Sequence, residues 1–181
     1  MKRSEYRRLL EIEVYKDGDR TNGLKKWLLR SYTRCFVPSR RAVYLVRKMQ
    51  YYRQKGGLWT IYADIIRRHI WREFGCFIEP SAIIGQGFHL PHPTGIVIGT
   101  AVRIGENVSL YQGVTLGGGN IGDAKKGNQP VIGNNVICFA GSKVLGKVIV
   151  GDKAVIAAGC ILLKDAESGG VYAGIPGKRV K

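Results

Sequence analysis

Apolar and polar positions along the chain follow two different periods, and the change falls near residue 76. Before it, apolar residues recur at helical spacing, as Leu58, Ile61 and Ile65 do, while arginines lie off that stripe. Breaks are predicted at residues 16–23, at Pro38 and at the Gly56-Gly57 pair, because glycine and proline interrupt helices. The pattern predicts helices over residues 4–15, 24–36, 40–54 and 58–74.

From residue 78 onward the period becomes six. The repeated inward positions are Ile98, Ile104, Leu110 and Leu116, and then Ile132, Cys138, Val144, Val150, Ile156 and Leu162. Hairpin strands would alternate with period two and would not hold this phase over nearly ninety residues. The repeat predicts a mainly β fold, a hexapeptide β-helix in which each aliphatic side chain stacks on its equivalents in neighbouring coils.

Two interruptions of the repeat are candidate binding regions. From Leu90 to Ile98 the step is eight residues instead of six, and this segment reads LPHPTGIVI. From Leu116 to Ile132 the step is sixteen, and it contains the polar, glycine-rich stretch GGGNIGDAKKGNQP, which predicts an extruded loop over 117–130. Interruptions of a solenoid commonly form its binding face.

Charge is distributed unevenly along the chain. The 181 residues carry a formal net charge of +16. Residues 1–75 hold 19 Lys and Arg against 7 Asp and Glu, a net of +12, and residues 76–181 hold 10 against 6, a net of +4. Such a basic segment attracts nucleic acid, anionic lipid or phosphorylated substrates.

The four scattered cysteines lack metal spacing and predict reduced thiols in a cytoplasmic protein.

The runs PHPTGIVIG, VSLYQGVTLGG and AGIPGKRVK resemble the hexapeptide-repeat acyltransferases, and within them the serine acetyltransferase-like branch. Many members of that branch modify surface polysaccharides. The resemblance covers about residues 78–180. It implies a left-handed parallel β-helix, a homotrimer, acetyl-CoA as donor and active sites between neighbouring subunits. The expected division is a basic α-helical region over 1–75 and an acyltransferase domain over 76–181.

The resemblance also implies roles for two residues in the chemistry. His92, followed by Thr94 and Gly95, matches the family's histidine motif, which implies that His92 is the general base. A neutral imidazole can take the proton of a hydroxyl acceptor as its oxygen attacks a thioester. Gly118, in TLGG, matches a family position near the thioester, and its N–H is the candidate oxyanion donor.

Four more residues match positions that hold CoA in the family. Ala140 and Ala158 are small enough for the pantetheine arm to approach the backbone, although corner packing alone would also explain them. Lys178 and Arg179 are placed to meet the CoA phosphates, with a solvated tail as the other interpretation.

The chain departs from serine acetyltransferases at three places. Pro91 stands where they usually carry an aspartate, Phe77 replaces a further acid, and residues 128–130 read Asn-Gln-Pro instead of Arg-His-Pro. The charged groups of serine need charged partners, whereas a sugar hydroxyl needs only hydrogen bonds, which Asn128 and Gln129 could supply. We therefore expect a polysaccharide O-acetyltransferase, with serine O-acetyltransferase of cysteine biosynthesis as the alternative.

The sequence also bears on three other kinds of ligand: a metal ion, a membrane surface and nucleic acid. His89 and His92 are three apart and point to opposite faces of an extended chain, so no metal site is expected, unlike in the γ-type carbonic anhydrases. The cationic, aromatic segment 1–75 suits the anionic inner face of a cell membrane, which predicts peripheral association, but it could equally be a solvated helical cap. A noncatalytic nucleic-acid-binding protein is the remote alternative, since no nucleic-acid motif is present.

Overall fold

The structure, a computed structural model, describes residues 1–15 and 23–181. The first part is helical and is called the head below. It contains α1 (Arg3–Leu10), a π-helical turn (Glu11–Tyr15), α2 (Gly23–Phe36), α3 (Pro38–Lys55) and α4 (Trp59–Phe74). Each lies within a few residues of a predicted helix. Pro38 opens α3, where its missing N–H costs nothing, while the predicted break over 16–22 lies outside the described residues.

The second part is built from very short strands. In chain order they are β1 (Phe77–Ile78), β2 (Ile83–Ile84), β3 (Val97–Ile98), β4 (Arg103–Ile104), β5 (Ser109–Leu110), β6 (Thr115–Gly117), β7 (Val131–Ile132), β8 (Ile137–Cys138), β9 (Lys143–Leu145), β10 (Ile149–Val150), β11 (Val155–Ile156), β12 (Ile161–Leu162), β13 (Val171–Ala173) and β14 (Lys178–Arg179). One further short helix, α5 (Asp123–Lys126), lies between β6 and β7.

The strands form the three walls of a prism. Sheet A contains β1, β3, β6, β9 and β12, sheet B contains β2, β4, β7 and β10, and sheet C contains β5, β8, β11, β13 and β14. All pairs are parallel except β13 with β14. The chain therefore visits A, B and C once per coil, which is a parallel β-helix.

The residues of the six-residue repeat point into the prism. In sheet A, Ile98 lies in register with Leu116, Leu116 with Val144, and Val144 with Leu162, and all four side chains are fully buried. The sequence period therefore corresponds to one wall of the coil per repeat, as predicted.

The head docks on the first coils of the β-helix. Arg47 on α3 donates from Nη1 to the carbonyl oxygen of Ile84 at 2.8 Å, and Gln50 donates to the carbonyl oxygen of Ala82 at 3.0 Å. Buried residues of the head and of the β-helix form one continuous hydrophobic cluster.

Among the described residues, none of the helices is both long enough and apolar enough to cross a membrane.

Candidate active site

The corner between sheets C and A, called the C–A edge below, is built the same way in successive coils. Each corner ends in a glycine with left-handed backbone, namely Gly95, Gly113, Gly141 and Gly159, with φ between 66° and 69°. Glycine adopts this conformation without the strain that a Cβ would add. The corners are hydrogen-bonded one above another, from Gly113 N–H to Thr94 O (2.8 Å) through Gly159 N–H to Ala140 O (2.9 Å).

His92 lies on the outside of this edge. The eight-residue step after Leu90 widens the corner, so that Leu90 is buried while the side chain of His92 is exposed to solvent. The carbonyl oxygen of His92 accepts a hydrogen bond from Thr94 N–H at 2.8 Å, which fixes the backbone turn. An exposed imidazole on a fixed corner can accept a proton from a ligand bound beside it.

An aromatic wall continues from His92 along the C–A edge. The rings of His92 and Tyr111 are 6.0 Å apart, and Tyr111 stacks on Phe139 at 5.1 Å. Both aromatic residues follow an inward residue directly, Leu110 and Cys138, and so occupy equivalent positions in successive coils. They present a flat apolar surface next to the imidazole.

Ala140 and Ala158 lie on the same edge as His92. Counting from Thr94, Ala158 is three coils away, which is about 14 Å at the usual strand spacing of about 4.8 Å. Ala158 is exposed and Ala140 is half-buried. The structure thus places the histidine and both alanines along one line.

The C-terminal hairpin brings Lys178 to the far end of that line. Lys178 pairs with Ala173, the last residue of β13, which is the sheet C strand of the final coil. The neighbouring Arg179 makes an ion pair with Glu167, and its Nε donates to the carbonyl oxygen of Lys181 at 3.0 Å. The guanidinium of Arg179 is thus engaged within the chain, and both Lys178 and Arg179 are exposed.

Gly118 lies on a different edge, between sheets A and B, where the loop over 117–130 leaves the coil after β6. In the described part of the chain its N–H has no hydrogen-bond partner, while the next two N–H groups, of Gly119 and Asn120, donate to Asp123 Oδ2 at 3.0 and 2.7 Å. The hydrogen bond from Asn120 N–H is the main reason that the pKa of the Asp123 carboxyl lies below its usual value. One chain alone does not bring Gly118 to His92.

The two residues predicted to bind substrate differ in their placement. Gln129 is buried, and its Oε1 accepts a hydrogen bond from Ala101 N–H at 2.7 Å, so its side chain is engaged within the coil. Asn128 is half-buried and donates to Asp123 Oδ1 at 3.4 Å. The sequence offered no sign of this difference, because burial of a loop amide depends on how the loop folds back.

Comparisons with known proteins point to one enzyme class. A serine acetyltransferase of Bacillus pumilus is 43% identical over 106 residues, 59% of this chain and 48% of that relative. The Neisseria gonorrhoeae serine acetyltransferase in complex with serine has a TM-score of 0.80 and 26% identity, over 99% of this chain and 70% of that one. A serine acetyltransferase in complex with CoA has a TM-score of 0.79 and 27% identity, over 98% and 71%. No family model matches.

The repeat region resembles the hexapeptide-repeat acetyltransferases. The left-handed parallel β-helix with N-terminal helices, expected from the sequence, is confirmed. The chain spans about half the length of the curated relatives that it matches. These relatives are serine acetyltransferases, so the polysaccharide branch, expected from the sequence, is not confirmed, and serine becomes the better-supported acceptor.

Two features of the candidate site were missed in the sequence. The Tyr111–Phe139 wall could have been found from register, since each aromatic residue directly follows a repeat position. Asp123 gave no such signal, because its role depends on the turn that brings its carboxylate back to two backbone N–H groups. Among the described residues, no cluster of three or more His, Cys, Asp or Glu side chains could hold a metal ion.

Proposed function

We propose that this chain transfers the acetyl group of acetyl-CoA to the hydroxyl group of a small acceptor, with His92 as general base. The observation that carries the proposal is the line formed by His92, Ala140 and Ala158 along the C–A edge. It combines an exposed imidazole with a track of small residues, and it ends at Lys178. Relatives named serine acetyltransferases, one of them solved with CoA, support the same chemistry.

His92 would first accept a proton from the acceptor and then donate it to the leaving group. It takes the proton of the acceptor hydroxyl as that oxygen forms a bond to the thioester carbonyl carbon. Negative charge then builds on the carbonyl oxygen, where a backbone N–H such as that of Gly118 would stabilise it. When the carbon–sulfur bond breaks, His92 returns the proton to the sulfur, so that CoA leaves as a thiol and the acceptor keeps the acetyl group.

A homotrimer is part of the proposal, because the edge that carries Gly118 is not the edge that carries His92. A neighbouring subunit would place its loop over 117–130 at the C–A edge of the first subunit. Closed cyclic symmetry gives every subunit the same pairing of edges. The two groups then meet at the seam between chains, which is also where a CoA arm on Ala140 and Ala158 would be enclosed.

Serine is the first candidate acceptor, since the relatives compared above carry its name. The second candidate is an uncharged sugar hydroxyl. It is supported by the wall of Tyr111 and Phe139 next to His92, because the apolar face of a sugar ring packs on aromatic rings, whereas serine has no such face. Pro91 before the histidine also offers no charge to the ammonium group of serine.

Thiol release from acetyl-CoA tests the proposal. The purified protein is assayed with L-serine, with a panel of neutral monosaccharides, and without acceptor. Turnover with serine supports the first candidate and turnover with sugars alone supports the second. If neither serine nor any sugar of the panel increases thiol release over the acceptor-free rate, the proposed reaction is wrong.

His92→Ala is expected to lower kcat by about 10²–10⁴ without unfolding the protein, since the side chain is exposed. His69→Ala is the matched control. His69 lies on α4, where its Nε2 meets Glu73 at 2.9 Å, and its loss should leave turnover unchanged.

A further inference from the structure

We propose that the outward face of α2 docks on the surface of an anionic phospholipid bilayer. The proposal is independent of the proposed function. It rests on α2, whose apolar side faces solvent instead of the protein interior. Among the described residues, none of α2 is buried. Most of its large apolar side chains instead face solvent, with exposed fractions between 42% and 71% for Leu24, Trp27, Leu28, Leu29, Tyr32 and Phe36.

The side of α2 that faces the head is cationic. The guanidinium of Arg30 lies 4.6 Å from the centre of the Tyr15 ring, and that of Arg34 lies 5.7 Å from the centre of the Tyr44 ring. These contacts hold the helix on the head by cation–π attraction. Arginines thus occupy positions that face the head, and the large apolar side chains of the helix lie outward.

The outward residues share one arc of the helix. Leu24, Trp27, Leu28 and Tyr32 follow one another at steps of three, one and four, and Phe36 adds a further step of four. Leucine and tryptophan on such an arc enter the boundary between headgroups and acyl chains, whereas a contiguous apolar face in water is unfavourable.

Charge selects the partner of this face. Residues 1–75 carry a net charge of +12, so two heads of this chain repel each other, while an anionic leaflet attracts them. A cavity of about 510 Å³ also opens at the rim of α2, and Arg7, Arg30, Arg34 and three tyrosines line it. Glu11 lines it too and makes an ion pair with Arg30, so Arg7 and Arg34 are the arginines of this cavity proposed to meet phosphate. Arginine is the preferred partner of phosphate, the group that every phospholipid headgroup carries.

Vesicle sedimentation tests the docking. The full chain is mixed with vesicles of phosphatidylcholine alone and with vesicles that also contain phosphatidylglycerol. We expect binding to the anionic vesicles only, weakened as salt shortens the screening length from about 10 Å at 0.1 M to about 3 Å at 1 M. Absence of binding, or equal binding to both vesicles, would overturn the proposal.

Variants separate the apolar face from the charge. The double variant Trp27→Gln, Leu28→Gln is expected to weaken binding at least about tenfold, because both apolar contacts with lipid are lost while the net charge is unchanged. Both side chains are more than half exposed, so the thermal midpoint should not move. Leu163→Gln, at another half-exposed apolar position, is the matched control and should bind like the wild type.

The competing occupant is a second copy of the chain. Light scattering of the wild type and of the double variant, without lipid, measures the mass of each. Equal masses, with vesicle binding lost only in the double variant, support the membrane surface. A smaller mass for the variant, together with no vesicle binding by the wild type, would assign the face to contacts between copies. Turnover without lipid should be equal in both, so a failure here leaves the proposed acetyl transfer untouched.

Discussion

Glu13 and Arg47 form a buried, two-pronged ion pair at the junction of the head and the β-helix. Arg47 Nε and Nη2 donate to the two carboxylate oxygens of Glu13 at 2.7 and 2.6 Å, and the two side chains are 1% or less exposed. Glu13 Oε1 also accepts from Gly87 N–H at 2.8 Å, and Arg47 reaches the Ile84 carbonyl. The pair thus joins the π-helical turn, α3 and the first coil.

Removal of one partner should destabilise the protein strongly. Glu13→Ala leaves the guanidinium of Arg47 buried without its counter-charge, which costs about 3–5 kcal/mol. The free energy of unfolding, measured by urea denaturation, is expected to fall by that amount. Glu167→Ala removes the exposed partner of Arg179 and should change the same quantity by less than about 1 kcal/mol. Similar losses for the two variants would refute this account.

A bulky residue at Ala158 should block the donor site. Ala158 is exposed at the C–A edge, so Ala158→Trp fills the proposed track for the CoA arm without disturbing the interior. We expect KM for acetyl-CoA to rise at least about tenfold, since one misplaced contact of about 1.4 kcal/mol has that effect. Steady-state kinetics at saturating acceptor measure it. Lys164→Trp, at another exposed corner, is the control, and an unchanged KM in Ala158→Trp would contradict the site.

Asp123 should control catalysis through the loop that carries Gly118. Asp123→Ala removes the acceptor for the N–H groups of Gly119 and Asn120, so the neighbouring Gly118 N–H loses its position. A displacement of about 1 Å can cost about 10²-fold in rate, and kcat is expected to fall by up to that factor. The exposed Lys125 in the same loop supplies the control, Lys125→Ala. If kcat of Asp123→Ala equals that of the control, Gly118 has no role that depends on the loop.

The same carboxyl predicts how the loop responds to acid. Because hydrogen bonds lower the pKa of Asp123 in the folded protein, its contribution to stability is present above the unfolded value of about 3.9. That contribution is lost as the pH falls through the lower, folded value. Limited proteolysis within 117–130 should therefore accelerate only below about pH 4, and acceleration already at neutral pH would oppose this prediction.

Only one of the four thiols should react in the folded protein. Cys35 is exposed, while Cys76, Cys138 and Cys160 are buried. Burial raises the pKa of the Cys138 thiol to about 12, so it stays protonated and unreactive at neutral pH. An aromatic disulfide reagent that releases a coloured thiolate should react rapidly with one thiol per folded chain and with four thiols after unfolding. Cys35→Ser should abolish the rapid reaction of the folded protein. More than one fast thiol would mean that the interior is open to reagents.

Much of the architecture could be read from the chain alone. The six-residue period predicted the β-helix because each wall of the coil needs one inward side chain, and Ile98, Leu116 and Val144 occupy such positions. The break after Leu90 also indicated that His92 lies outside the repeat. The roles of Gly118 and Asn128 stay predictions, because the structure shows one chain and the proposed site needs two.

The sequence by itself determined the helices, the phase of the coils and the position of His92 on the surface, since all three follow from local spacing. Only the tertiary structure decided which residues share an edge, that Gln129 is turned inward, that α2 faces outward with its apolar side, and that Glu13 meets Arg47. The Glu13–Arg47 pair, for example, joins residues 34 apart in the chain. These relationships depend on hydrogen-bond register and burial between distant segments, which no local period encodes.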